Sequence, residues 1–68
     1  MYFNYHAKIK RLIKENQLLY VKFYDTYNNI SPAMVLYFKN EKPMPIRDYR
    51  FEEYFKQFTF LKNYIKKD

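Results

Sequence analysis

The chain has 68 residues, including nine Tyr and seven Phe but no Gly, Cys or Trp, and carries a formal net charge of +6. Without Cys there are no disulfides or thiolate zinc sites, a lone His cannot build a His-based metal site, and without Gly there is no glycine-rich phosphate loop. No apolar run approaches the roughly 18 residues of a membrane span, and residues 1–6 lack the basic start and long apolar stretch of a secretion signal, so a soluble cytoplasmic protein without a cofactor is expected.

A domain this short buries only about 60% of its unfolded surface. Stability is therefore expected from aromatic packing, at roughly 150–250 Å² buried per ring, from self-association into a homodimer, or from both.

Residues 4–16 read as a helix. Tyr5, Ile9, Leu12 and Ile13 recur at the spacing of one apolar stripe. Asn4 is placed to cap the start, and Asn16 to end the helix in the left-handed conformation usually given to Gly. Lys10, Arg11 and Lys14 fall opposite the stripe.

Residues 18–27 are rich in aromatic and β-branched types and read as a strand. Asn28-Asn29 suits a tight turn, and a second strand covers about 33–39. A two-residue turn flanked by Tyr27 and Ile30 pairs Phe23 with Met34, Val21 with Leu36 and Leu19 with Phe38. All six are apolar and share one face, an agreement that a slip of one residue would break. The other face carries Tyr20, Lys22 and Tyr24 against Val35, Tyr37 and Lys39.

Asn40-Glu41-Lys42 reads as a second turn, followed by a short strand over 43–47 with Met44 and Ile46 facing the core. Pro43 and Pro45 cannot donate to a ladder, which places this strand at an edge. Asp48 is expected to cap a last helix over about 49–66, striped by Phe51, Tyr54, Phe55, Phe58, Leu61 and Ile65. Tyr49, Phe60 and Tyr64 fall on its other side. Alternatively, Thr59 caps a separate short helix after a bend near Gln57.

The expected architecture is a single α+β domain over 1–68, with element order α-β-β-β-α. Two helices cover one face of a three-stranded antiparallel sheet in a two-layer arrangement.

This element order resembles that of double-stranded-RNA-binding domains and of small toxins of the HicA type. The resemblance is topological and carries no residue across. Glu52 and Glu53 stand where the first family has a lysine-rich helix start. The second has Gly and His on its sheet, whereas here Gly is absent and His6 lies on the first helix.

The charge is uneven: +4 over residues 1–24, −1 over 25–55 and +3 over 56–68. It is concentrated on the helices, whose outer faces are expected to form one basic surface. Such a surface suits phosphate backbones, with Lys10, Arg11 and Lys14 joined by Lys62, Lys66 and Lys67. Residue types with A/T-rich codons far outnumber Gly, Ala, Arg and Pro, so a biased genome offers a second origin for the lysines.

Tyr20, Tyr24 and Tyr37, with Lys22 and Lys39, are a second candidate surface, able to stack bases or to be covered by a protein, including a second copy of the chain. Tyr49, Phe60 and Tyr64 are a third, as aromatic anchors for a partner. His6 titrates near neutral pH, but no Ser, Cys or Asp is placed to complete a triad, and Glu52 and Glu53 face different directions. The sequence thus points to a non-enzymatic binding module with nucleic acid as the leading ligand class. Its rival is a protein–protein module or inhibitor, encoded by a phage or mobile element and acting on a host protein.

Overall fold

The computed structural model describes residues 4–29 and 32–66. Helix α1 (Tyr5–Lys14) is followed by strands β1 (Leu18–Tyr24), β2 (Ala33–Phe38) and β3 (Met44–Arg47). A single 3-10 turn (Asp48–Arg50) then leads into helix α2 (Phe51–Gln57), and a terminal 3-10 helix (Thr59–Tyr64) follows. The three strands form one antiparallel sheet in the order β1-β2-β3. This is the expected two-layer α+β arrangement, because both helices contribute to the same apolar cluster on one sheet face. Ile9, Leu12 and Ile13 from α1, with Tyr54, Phe58 and Leu61, meet Val21, Met34, Leu36, Phe38, Met44 and Ile46.

That cluster is mainly aliphatic. Phe38, Tyr54 and Phe58 are its aromatic members, and Tyr5, Phe51 and Phe55 pack against it partly exposed, so aromatic packing contributes as expected, mainly around an aliphatic centre. Most rings lie at the periphery. Phe23, 45% exposed, packs edge-on to Phe51 and stacks with Phe55 at centroid distances of 5.5 and 6.3 Å.

Local chemistry sets the ends of α1. The Asn4 side chain accepts a hydrogen bond from the Ala7 amide at 3.0 Å, as an N-cap does. At the other end the Gln17 amide donates to the Leu12 carbonyl and the Asn16 amide to that of Ile13. This pair of bonds closes a helix around one left-handed residue, here Asn16 at φ 58°. Asn28, Asn29 and Asn40 take the other positive φ values, 49°, 66° and 57°. Asn tolerates this region better than any other residue with a Cβ, so it does the work of the missing Gly. The consecutive pair Asn28-Asn29 matches the demand of a type I′ turn. Ile30 and Ser31, which follow it, lie outside the described residues.

The predicted register holds from Tyr20 to Tyr24: Val21 faces Leu36 and Phe23 faces Met34. It fails at Leu19. A bulge between Leu18 and Tyr20 pairs Leu18 with Phe38 instead, which buries Leu18 and leaves Leu19 51% exposed. The helix expected over 49–66 is broken at Phe58, whose φ of −125° and ψ of 79° are not helical. The alternative with a bend near Gln57 is the one realised, although Phe58 and not Thr59 holds the N-cap position of the terminal 3-10 helix. Nor does Asp48 cap α2; it lies inside the preceding 3-10 turn.

After the terminal 3-10 helix the chain runs beside β1. Ile65 forms a parallel bridge with Val21, and the Lys66 amide donates to the Val21 carbonyl at 2.8 Å. This covers part of the outer edge of β1 and limits pairing with foreign strands. Among the described residues no helix is long and apolar enough to cross a membrane.

The bulge gives a direct test. Leu18→Ala should cost about 2–5 kcal/mol, the range for emptying a core leucine site, and Leu19→Ala no more than about 0.5 kcal/mol, as for a surface site. Urea denaturation of both variants checks this, and equal losses would restore the unbulged pairing.

Candidate nucleic-acid interface

The sheet face away from the helices carries Tyr20, Lys22 and Tyr24 from β1. Ala33, Val35 and Tyr37 from β2, and Pro45 and Arg47 from β3, stand opposite them in register. Lys39 continues this parity one residue beyond β2. None of the three strands contains Asp or Glu.

The face is partly roofed by its own tyrosines. Tyr20 and Tyr37, directly opposite each other, stack at a centroid distance of 4.5 Å with planes 22° apart. The hydroxyls of Tyr24 and Tyr37 are 2.8 Å apart, although their backbones are four residues apart along the ladder, about 13 Å at strand rise. The rings must therefore lean toward each other over the Lys22–Val35 rung. Val35 and Ala33 are fully buried as a result, and Tyr27 packs on Tyr24 at 5.2 Å. The hydrogen bond with Tyr24, followed by burial, raises the Tyr37 hydroxyl far above the ordinary tyrosine value, so it stays protonated at physiological pH. Tyr20, Tyr24 and Tyr37 are half-buried.

Lys66 belongs to this face. Its ammonium lies 4.9 Å from the centre of the Tyr20 ring, because the Val21–Ile65 bridge brings the C-terminal segment alongside β1. The expected basic surface of the two helices is accordingly redistributed. Lys66 lies beyond the last helical residue, and Lys67 lies outside the described residues. Lys10 is half-buried, pairs with Glu53 and sits 5.4 Å from the Tyr54 ring centre. Arg11 and Lys14 on α1, and Lys62 in the terminal 3-10 helix, are exposed with no ion pair among the described residues.

The aromatic residues expected on the back of one helix are also separated by the break. Tyr49, 75% exposed, borders a cleft with Tyr5 and His6. Phe60 and Tyr64, both exposed, form an edge-to-face pair at 6.0 Å on the terminal 3-10 helix.

Sequence reading missed the partner of His6. Its Nδ1 lies 2.8 Å from the hydroxyl of Tyr54, a fully buried residue. Burial, then the Glu53 charge, pushes the Tyr54 hydroxyl well above the ordinary range, so it keeps its proton and shares a hydrogen bond with Nδ1 whose direction follows the tautomer of His6. His6 is lowered from its ordinary 6.5 by burial first and by the Arg50 charge second; Lys10 acts in the same direction and Glu53 against it. Glu53 accepts from Arg50 Nη1 at 3.0 Å as well as from Lys10, and the Lys10 hydrogen bond is the main cause of its lowered carboxyl pKa. His6 and Tyr54 are 48 residues apart, so no sequence spacing could have revealed the pair.

No protein-family model, curated protein or solved structure matches this chain. The likeness of element order to double-stranded-RNA-binding domains and HicA-type toxins therefore goes no further than order.

The His6 network carries a pH signature. The folded chain binds the imidazole proton less readily than the unfolded chain, so the unfolded state holds more protons between the lowered value and about 6.5. Stability must then rise with pH through that window and be lost as pH falls through it. NMR titration of the His6 ring should show a midpoint below 6.5, and His6→Gln should flatten the stability slope between about pH 5 and 7. A midpoint at or above the ordinary value would contradict the Tyr54 and Arg50 surroundings described.

Proposed function

We propose that the protein is a non-enzymatic module that binds single-stranded nucleic acid across the tyrosine face of its sheet. The observation that carries this reading is the Tyr20–Tyr37 stack with the Lys66 ammonium over the Tyr20 ring. It stands on a face whose other charged strand residues, Lys22 and Arg47, are cationic, with Lys39 next to them. Proteins that hold single strands combine ring platforms with a positively charged track for the backbone.

Magnitudes favour an exchange at Tyr20. The contact of an exposed cation with a ring is worth about 0.5–1 kcal/mol, and stacking a base on an aromatic side chain about 1–3 kcal/mol. A base that displaces Lys66 from the ring thus gains more than is lost, and it frees the ammonium for the adjoining phosphate. The exposed Arg11, Lys14 and Lys62 extend the positive field and steer the polyanion toward the protein. Lys10, held by Glu53, contributes little.

Anisotropy with labelled mixed-sequence single-stranded RNA and DNA tests this. With four phosphate contacts, affinity should fall about 50-fold between 50 and 200 mM salt. Tyr20→Ala should weaken binding by about 5- to 150-fold, and Lys66→Glu should weaken it more than Lys14→Glu. Absence of binding at low salt would overturn the proposal. The exposed Phe60–Tyr64 pair favours a second reading, docking to a protein partner, in which Phe60→Ala abolishes binding and Tyr20→Ala does not.

A further inference from the structure

Along the outer side of β3 lies a cleft of about 260 Å³, lined by Tyr5, His6, Pro45, Arg47, Tyr49 and Arg50. We infer that it is a binding site for a phosphomonoester, namely the terminal phosphate of the bound strand. In its choice of source this inference rests on the nucleic-acid reading; the anion chemistry of the cleft stands apart from it.

The lining is a set of donors. Arg47 has no ion pair among the described residues, and Arg50 gives only Nη1 to Glu53. Its Nη2 and Nε remain available, and a guanidinium fork matches a phosphate in two-point geometry. The Tyr54 hydroxyl engages His6 Nδ1, so Nε2 is the ring nitrogen left to meet a ligand, and it donates whenever an anion draws a second proton onto the ring. The Tyr5 hydroxyl donates to the Pro45 carbonyl at 2.9 Å, fixing the wall between α1 and β3. Among the described residues no Asp or Glu lines the cleft. Glu53 stands behind Arg50, and Lys10 shares its charge.

A neighbouring cavity of about 470 Å³ on the other side of Tyr5 makes the contrast. Glu41 is among its lining residues and pairs with Lys8 at 3.0 Å, so an anion there meets a carboxylate. Size narrows the ligand further. The Arg47–Arg50 cleft lies just below the roughly 300–1,000 Å³ of drug-sized pockets, which suits a phosphate and its ester group and leaves no room for a folded oligonucleotide. Tyr49 stands at the rim, largely exposed, where it offers a ring to the terminal base. Arg47 joins the cleft to the sheet: it faces Ala33 across the ladder on the tyrosine side and also lines the cleft.

The test compares one single-stranded oligonucleotide with 5′-phosphate, 3′-phosphate and hydroxyl ends, alongside inorganic phosphate and a nucleoside monophosphate. Affinity and the His6 ring resonances are followed together. One phosphorylated form should bind at least about tenfold tighter than the hydroxyl form, as expected for charge-assisted hydrogen bonds. It should raise the His6 midpoint, and Arg47→Gln or Arg50→Lys should remove both effects. If all forms bind equally and His6 does not move, the cleft proposal is overturned while the nucleic-acid reading stands. If no oligonucleotide binds but phosphate or the monophosphate moves His6 through Arg47, the cleft site stands and the reading of the tyrosine face fails. Silence from every probe overturns both.

Discussion

The structure depends on burying strand β2 from both sides. Ala33, Met34, Val35 and Leu36 all have zero exposure, although the helices cover only one face of the sheet. An antiparallel sheet of this kind commonly leaves its other face wet. Here the chain shields that face with its own tyrosines, which lie over the small side chains of Ala33 and Val35 and meet hydroxyl to hydroxyl. A short domain thereby adds to its buried surface without a third layer.

The same economy governs the backbone. Every described residue at positive φ is Asn, and each stands where the chain reverses or leaves a helix. Reversal at Asn16 leads directly into β1, and the bulge two residues further on exchanges Leu19 for Leu18 in the core. Further along, the break at Phe58 separates α2 from the terminal 3-10 helix. The chain can then run beside β1, place Ile65 against Val21 and bring Lys66 over Tyr20. The ring-and-cation unit is thus a consequence of where the last helix fails to continue.

Charge is distributed by pairing as much as by composition. Lys8 and Lys10 leave α1 to meet Glu41 and Glu53, which belong to the β2–β3 turn and to α2. Partly exposed pairs of this kind contribute about 0–1 kcal/mol to stability, so their main effect is on orientation. They remove two cations from the outer face of α1 and set Glu53 behind Arg50. On the ladder side, beside the tyrosines, Lys39, Arg47 and Lys66 have no ion pair among the described residues, and Lys66 rests on the Tyr20 ring.

Alternation and spacing in the sequence determined the element order, the β1–β2 register from Tyr20 to Tyr24, the capping roles of Asn4 and Asn16, and the gathering of Tyr20, Tyr24 and Tyr37 on one face. Each is a local rule, acting through period-two alternation, helical spacing or the φ tolerance of Asn. The sequence offered both a continuous last helix and one bent near Gln57; tertiary packing decided between them, and it alone decided the bulge at Leu19, the capture of Lys10 by Glu53, the seat of Lys66 on Tyr20 and the meeting of His6 with Tyr54. These contacts join residues up to 48 positions apart, and packing and electrostatic complementarity between distant segments leave no periodic trace along the chain.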